Sequence, residues 1–188
     1  MGLILASSSP RRKRILEDLG YSFQCIPPDI DESNDKGLDS ISYVIRISEN
    51  KARHVWENNQ DHYILSGDTI IDFNHQIIGK PSSHNEAFEI LNKLSNQIHS
   101  VISALTLFYE GRSTTVFDKT NVTFKKLSES IIKDYINSFD VLDKAGAYNI
   151  EDAENILIKH IDGCYNNIVG FPLKKFEMSK IKKIIDTL

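Results

Sequence analysis

Gly2 to Gly20 reads GLILASSSPRRKRILEDLG. Gly2 to Ala6 is a short continuous apolar run, the pattern of a buried strand. Ser9 before Pro10 predicts a helix start, with Ser9 as N-cap and Pro10 at the first helical position, where its missing N–H is no loss. Ile15, Leu16 and Leu19 give that helix its apolar face, and Gly20 supplies the stop. The chain thus opens as strand, serine-rich turn and basic helix.

Outward from this unit, Tyr21 to Pro27 alternates as a second strand. Asp29, Asp31 and Glu32 open an acidic loop that runs on through Ser33, Asn34, Asp35 and Gly37. Ser42 to Asn58 has helical periodicity, with an apolar stripe of Val44, Ile45, Ile47, Ala52, Val55 and Trp56. Tyr63 to Asp72 predicts a strand pair or one long bent strand, and Asn74-His75 turns it back as Gln76 to Gly79. Ser83 and Glu86 have capping-box spacing at the head of a helix to Leu94. His99–Tyr109 and Thr114–Lys125 read as long strands about a Glu110-Gly111 turn. A helix over Glu129–Ser138, a strand over Ile156–Ile161 and one amphipathic helix over Leu173–Leu188 complete the chain. Strands mixed with helices, and hairpins among the strands, predict an α/β class with a mixed sheet.

Composition bounds the function classes. The 188 residues are 40% hydrophobic and 26% charged, enough apolar material for a core in one domain or two tightly joined lobes. A net charge of −4 argues against a nucleic-acid clamp, and only Arg11, Arg12, Lys13 and Arg14 form a basic cluster. No apolar run approaches the roughly 20 residues that span a bilayer. The basic cluster follows the apolar start instead of leading it, unlike a signal peptide. Cys25 and Cys164 read as free thiols suited to a reducing cytosol, Cys25 as a packing residue in its strand. The expectation is a soluble cytoplasmic protein with no membrane partner. The histidines are scattered without metal-ligand spacing, and no G-x-S-x-G elbow, Walker loop or dinucleotide fingerprint occurs.

Five places could carry chemistry. The serine turn offers a helix N-terminus, the hydroxyls of Ser7, Ser8 and Ser9, and the forked guanidiniums of Arg11 and Arg12, which together suit a polyphosphate. Cations at a helix start oppose the macrodipole, so a ligand explains them better than helix stability does. Asp68, after Ser66-Gly67 and beside Thr69, is placed either to hold a metal or activate water, or to cap a turn. Lys51 sits inside an apolar stripe, one turn from Ile47 and from Val55, so it either snorkels to solvent or meets a buried acid or phosphate. Lys80, between Gly79 and Pro81, is either held at a strand end as a site residue or an ordinary turn lysine. Asp29, Asp31 and Glu32 are either a metal-facing set or an exposed loop.

Taken together, LILASSSPRR (Leu3–Arg12), SGDT (Ser66–Thr69), IGKP (Ile78–Pro81) and KAGAYNI…IDGCYNNIVGFPL (Lys144–Leu173) resemble the Maf family of nucleoside triphosphate pyrophosphatases, originally named as septum-formation inhibitors. The resemblance runs in order from Leu3 to about Leu173. It implies one domain over residues 1–188, with two lobes around one cleft, and a long mixed twisted sheet flanked by helices, akin to the inosine triphosphate pyrophosphatases. It implies hydrolysis of a nucleoside triphosphate to monophosphate and diphosphate with a divalent cation, Mg²⁺ or Mn²⁺, a house-cleaning role, and a homodimer. By motif position, Asp68, Lys51, Lys80 and Glu32 match the catalytic positions, with Asp68 and Glu32 as metal carboxylates. Ser7, Arg11 and Arg12 match the phosphate-binding turn.

Arg11 and Thr69 match the family members that act on dTTP and UTP. Glu151, a third substrate-contacting position, stands where those members carry Gln, and Asn149 and Asp152 stand where glycines are expected. Gln offers a donor and an acceptor to a thymine or uracil edge, whereas an ionised Glu only accepts. A second reading makes the chain a nucleotide- or nucleic-acid-binding regulator of cell division with little turnover. A third, an inosine-triphosphate-type purine enzyme, does not account for the SPRR and KAGAY segments.

Overall fold

The computed structural model describes residues 1–34 and 37–188, so the expected loop position Asp35 lies outside the described residues. In chain order the elements are β1 (Leu3–Ala6), α1 (Pro10–Asp18), β2 (Phe23–Cys25), α2 (Ser40–Trp56), β3 (Tyr63–Phe73), β4 (Gln76–Ile78), α3 (His84–Leu94), β5 (Ile98–Tyr109), β6 (Arg112–Phe124) and α4 (Glu129–Ser138). A 3₁₀ turn (Ala145–Ala147), α5 (Ile150–Ala153), β7 (Ile158–Asp162), α6 (Tyr165–Val169), α7 (Leu173–Glu177) and α8 (Lys180–Ile185) follow. The strands form one seven-stranded mixed sheet in the order β2-β1-β3-β5-β6-β7, with β4 hairpinned onto β3. The expected α/β class with a mixed sheet flanked by helices is what the chain adopts.

Local signals set most boundaries. Ser9 accepts the Arg12 N–H with Pro10 in the first turn of α1. Asn74 and His75 take φ of 52° and 62°, and Glu110 and Gly111 take 49° and 73°, the left-handed pairs that tight hairpins need. Tyr63–Phe73 is one long strand. α2 starts before Ser42 because Asp39 caps it, accepting the Ile41 and Ser42 N–H groups. Ser83 caps α3, but Glu86 accepts from the Ser82 N–H at 2.7 Å, one residue beyond the N-cap that a capping box would engage.

Two expectations need correction. Leu173–Leu188 is two short helices, because Ser179 donates to the Phe176 carbonyl at 2.7 Å and caps α8 through the Lys182 N–H. Cys25 is exposed, since β2 has only three residues and lies at the sheet edge, whereas Cys164 is buried. Among the described residues no helix is long and apolar enough to cross a membrane.

Strand alternation sends successive side chains to opposite faces of the sheet. Ile4, Ala6, Ile64, Ile70, Ile102, Ala104 and Phe108 pack under α2, against Val44, Ile47, Ala52 and Val55. Leu3, Leu5, Leu65, Leu105 and Leu107 pack on the other face with Leu16 of α1, Phe171, Phe176 and Ile181. A third cluster under α3 and α4 includes Leu91, Phe124, Tyr135 and Tyr148.

His99 of β5 lies against that third cluster. Its Nε2 is 2.8 Å from the Tyr148 hydroxyl, and its ring meets Phe124 edge-on. Burial pushes its pKa down to about 4. A lowered folded-state value means that the neutral ring stabilises the fold above the unfolded value near 6.5, and that this stability is lost as pH falls through about 4. Urea unfolding of the wild type should therefore show roughly 3 kcal/mol lost to this group between pH 7.5 and pH 4. His99→Phe should flatten that segment of the pH dependence. An equal slope in both proteins would remove His99 as its source.

Candidate active site

The site lies at a gap in strand pairing. β1 runs parallel to β3 and ends with Ala6 opposite Ser66, while β4 pairs on the same edge only from Ile71 onward. Gly67, Asp68, Thr69 and Ile70 therefore have no strand partner on that edge, although β5 pairs along the other. The serine turn leaves β1 at this gap. Because side chains alternate, Asp68 faces α2 and Thr69 faces α1, so one dipeptide supplies both sides of the cleft.

On the α2 side, the Lys51 ammonium lies 2.8 Å from Asp68 Oδ1 and 2.8 Å from Glu32 Oε1. The Lys51 and Asp68 side chains are 12% and 10% exposed, whereas Glu32 is 47% exposed at the cleft mouth. Lys51 thus meets a buried acid instead of snorkelling outward. Burial raises the Asp68 pKa, opposed by Lys51 and then by Arg12. Two α2 residues that carried no functional expectation hold the acidic loop. The Tyr43 hydroxyl donates to the Glu32 carbonyl at 2.5 Å, and Arg46 donates to the Ser33 carbonyl at 2.6 Å. Burial, with Asp68 and Glu32 nearby, pushes the Tyr43 phenol up to about 12, so it remains a donor. Tyr43 and Arg46 precede Lys51 by eight and five positions on the same helix, and that spacing is their only sequence signal.

On the α1 side, Arg12 is buried. Its Nε donates to the Gly170 carbonyl at 2.9 Å, one terminal nitrogen donates to Ser7 Oγ at 3.3 Å, and the other to Thr69 Oγ1 at 2.9 Å. A guanidinium has five N–H groups, so Arg12 is locked in place with donors left for a ligand. Two glycines make room for it. A Cβ on Gly67 would sit 3.0 Å from Arg12 Nε and 2.9 Å from the Ala104 carbonyl. Gly170 has φ of 107°, which ends α6 and turns its carbonyl to Arg12. Arg11 donates to the Val169 carbonyl at 3.2 Å.

Ser7, Arg11, Arg12, Glu32, Tyr43, Lys51, Asp68 and Thr69 line one cleft of about 590 Å³ with Ser8, Lys80, Asp143, Lys144 and Asn149. Lys80 is exposed after β4, where the Gly79 carbonyl accepts the Gly146 N–H at 3.0 Å. Lys144 pairs with Asp143, and the sequence marked it only as the first residue of KAGAY. The structure thus brings Ser7, Arg11, Arg12, Glu32, Lys51, Asp68, Thr69 and Lys80 together. Glu151 does not line the cleft, and its carboxylate is paired with Arg14 of α1.

Cations on both walls suit a polyanion, and a buried carboxylate between them suits proton transfer or metal binding. Among the described residues no group of three or more His, Cys, Asp or Glu could hold a metal ion by itself. Two carboxylates converging on one ammonium fit instead the sparse set that Mg²⁺ takes when phosphates and waters complete its shell.

The profile of the family described as Maf-like protein matches residues 2–179. A dTTP/UTP pyrophosphatase from a strain of Bacillus cereus is 39% identical over 173 residues, covering 92% of this chain and 91% of its own. A dTTP/UTP pyrophosphatase of Bacillus anthracis is 38% identical over the same shares. A solved Vibrio cholerae protein aligns with 73% of this chain and 70% of its own at a TM-score of 0.35 and 9% identity, a likeness that carries no argument.

Proposed function

The chain belongs to the Maf-like protein family, and from that premise we propose that its cleft hydrolyses dTTP and UTP to the monophosphate and pyrophosphate. The observation that carries this reading is Asp68, a buried carboxylate at a gap in the sheet, with Lys51 on one face and the Arg12–Thr69 pair on the other. The role is house-cleaning, removal of nucleotides that polymerases would otherwise use.

The reaction needs charge neutralisation along the triphosphate, a placed water and an acceptor for its proton. Ser7, Arg11 and Arg12 receive the phosphates at the head of α1, and Lys80, which follows β4, adds a further cation to the cleft. Thr69 holds Arg12 through its hydroxyl. Asp68 takes the proton from water as the water oxygen bonds to the α phosphorus, the bond from that phosphorus to the α–β bridging oxygen breaks, and pyrophosphate leaves with the bridging oxygen. Lys51 keeps Asp68 ionised and holds Glu32 beside it. Asp68 and Glu32 would hold Mg²⁺ or Mn²⁺, which when bound neutralises phosphate charge and lowers the pKa of water. The reading takes residues 1–188 as one functional domain, acting as a cytoplasmic homodimer.

The test is release of pyrophosphate against orthophosphate from dTTP, UTP, CTP, GTP, 7-methyl-GTP and ITP with either metal. Pyrophosphate with UMP or dTMP is the expected result. Orthophosphate release, or folded protein without turnover on any of them, would overturn it, the second favouring the binding role.

A further inference from the structure

The sequence leaves open which group reads the base, since Glu151 cannot offer both a donor and an acceptor. The structure supplies the surroundings. Glu151 points to Arg14 and away from the cleft lining, through an ion pair between α1 and α5 that spans 137 residues of sequence. Two residues earlier, Asn149 does line the cleft, in an apolar stretch with Tyr148, Ile150, Ile168 and Val169. Its backbone N–H is held by the Tyr135 hydroxyl at 3.3 Å, and its Nδ2 donates to Asp152 Oδ2 at 3.0 Å.

A carboxylate only accepts, so Asp152 fixes which end of the amide faces it. The nitrogen donates one N–H to Asp152, while among the described residues its second N–H finds no acceptor and Oδ1 no donor. We propose that Asn149, its amide oriented by Asp152, reads the base edge, and that Arg14 holds Glu151 out of that contact. The inference rests on the dTTP/UTP reading above for the identity of the base.

The chemistry follows from the order of donors and acceptors. Uracil and thymine present an N3–H flanked by carbonyls, which an amide oxygen and an adjacent N–H complement. Cytosine presents an acceptor N3 beside an amino donor, which needs the same two groups in the opposite order. An amide free to turn serves both bases. One pinned by a carboxylate serves one. A free carboxylate at position 151 would instead favour the amino-bearing edges of cytosine and guanine, and Arg14 neutralises it.

The experiment measures kcat and KM for UTP and CTP, and the Kd of their α,β-imido analogues, in wild type and variants. Asn149→Ala should lower the UTP-over-CTP preference about tenfold, chiefly in KM and Kd. Asp152→Asn keeps the side-chain volume but frees the amide, and should relax the preference to a similar extent. Asn149→Asp, nearly the same shape, should shift it towards CTP, and Arg14→Gln should raise use of CTP and GTP. A merely structural role would weaken both nucleotides equally and leave the ratio unmoved, which would overturn the proposal. So would a ratio that moves with Glu151→Gln but not with the Asn149 or Asp152 variants. If wild type prefers another base, or binds without turnover, the dTTP/UTP reading fails. The ratio of preferred to disfavoured base, in turnover or in Kd, still decides for or against Asn149.

Discussion

Asp68→Asn is expected to lower pyrophosphate release by about 10³-fold or more while the protein stays folded. The amide has the shape of the carboxylate, and its oxygen can still accept from the Lys51 ammonium that lies 2.8 Å away. What is lost is negative charge and basicity at the gap in the sheet. Because burial raises the Asp68 pKa, the acid limb of the wild-type kcat/KM profile should lie above the ordinary carboxylate value of about 3.9. Activity rises as pH passes upward through that limb, and the residual activity of the variant should lack it. Stability runs the other way. A carboxyl whose folded-state pKa is raised stabilises the fold below its unfolded value, and this contribution is lost as pH rises through the folded value. Asn mimics the protonated form, so the variant should be at least as stable as wild type at pH 7.5, with the difference shrinking towards pH 4. Turnover at saturating nucleotide and urea midpoints at the two pH values check both halves. A folded variant with normal turnover would remove Asp68 from the chemistry.

What the sequence made legible is what local rules control. Ser9-Pro10 marks a helix start, and Asn74-His75 and Glu110-Gly111 mark hairpins, because cap and turn geometry is written in adjacent residues. Lys51 was visible as an anomaly, since a charge on an apolar stripe needs an explanation. Its partners were not visible, because Asp68 reaches it only through the packing of α2 over β3, and Glu32 only through the loop that Tyr43 and Arg46 hold. The opposite orientations of Asp68 and Thr69 follow from strand periodicity. The gap that exposes both does not, because it depends on β1 ending opposite Ser66 and β4 beginning opposite Ile71, two pairings distant in sequence. Glu151 shows the same limit. The family resemblance implied a base contact at this position, and only tertiary placement sets Glu151 against Arg14. The closing helix failed for a local reason instead, since apolar periodicity runs unbroken past Ser179 and hides its capping geometry.

The second large effect belongs to Lys51. Its ammonium joins a buried carboxylate to a half-exposed one, so its removal differs from loss of a surface ion pair, which costs about 0–1 kcal/mol. Lys51→Met keeps an unbranched stem and deletes the charge. Asp68 then lies buried without its nearest cation, and breaking such a pair from one side costs about 3 kcal/mol or more. For a chain of this size that corresponds to a fall in Tm of roughly 10 °C at neutral pH. The same loss removes the main influence that lowers the Asp68 pKa, so the acid limb of activity should move to higher pH and turnover at pH 7 should drop about 10²-fold or more. Lys51→Arg keeps the charge but replaces a point ammonium with a planar fork, and should restore stability better than turnover. The decisive variant is the double one. Lys51→Met with Asp68→Asn leaves no unpaired buried charge, so its stability should return close to that of Asp68→Asn alone while activity stays absent. Stabilities that add independently across this cycle would show that the two side chains do not act as a pair. Recovery of stability without activity would show that the buried ion pair serves the chemistry at the cost of the fold.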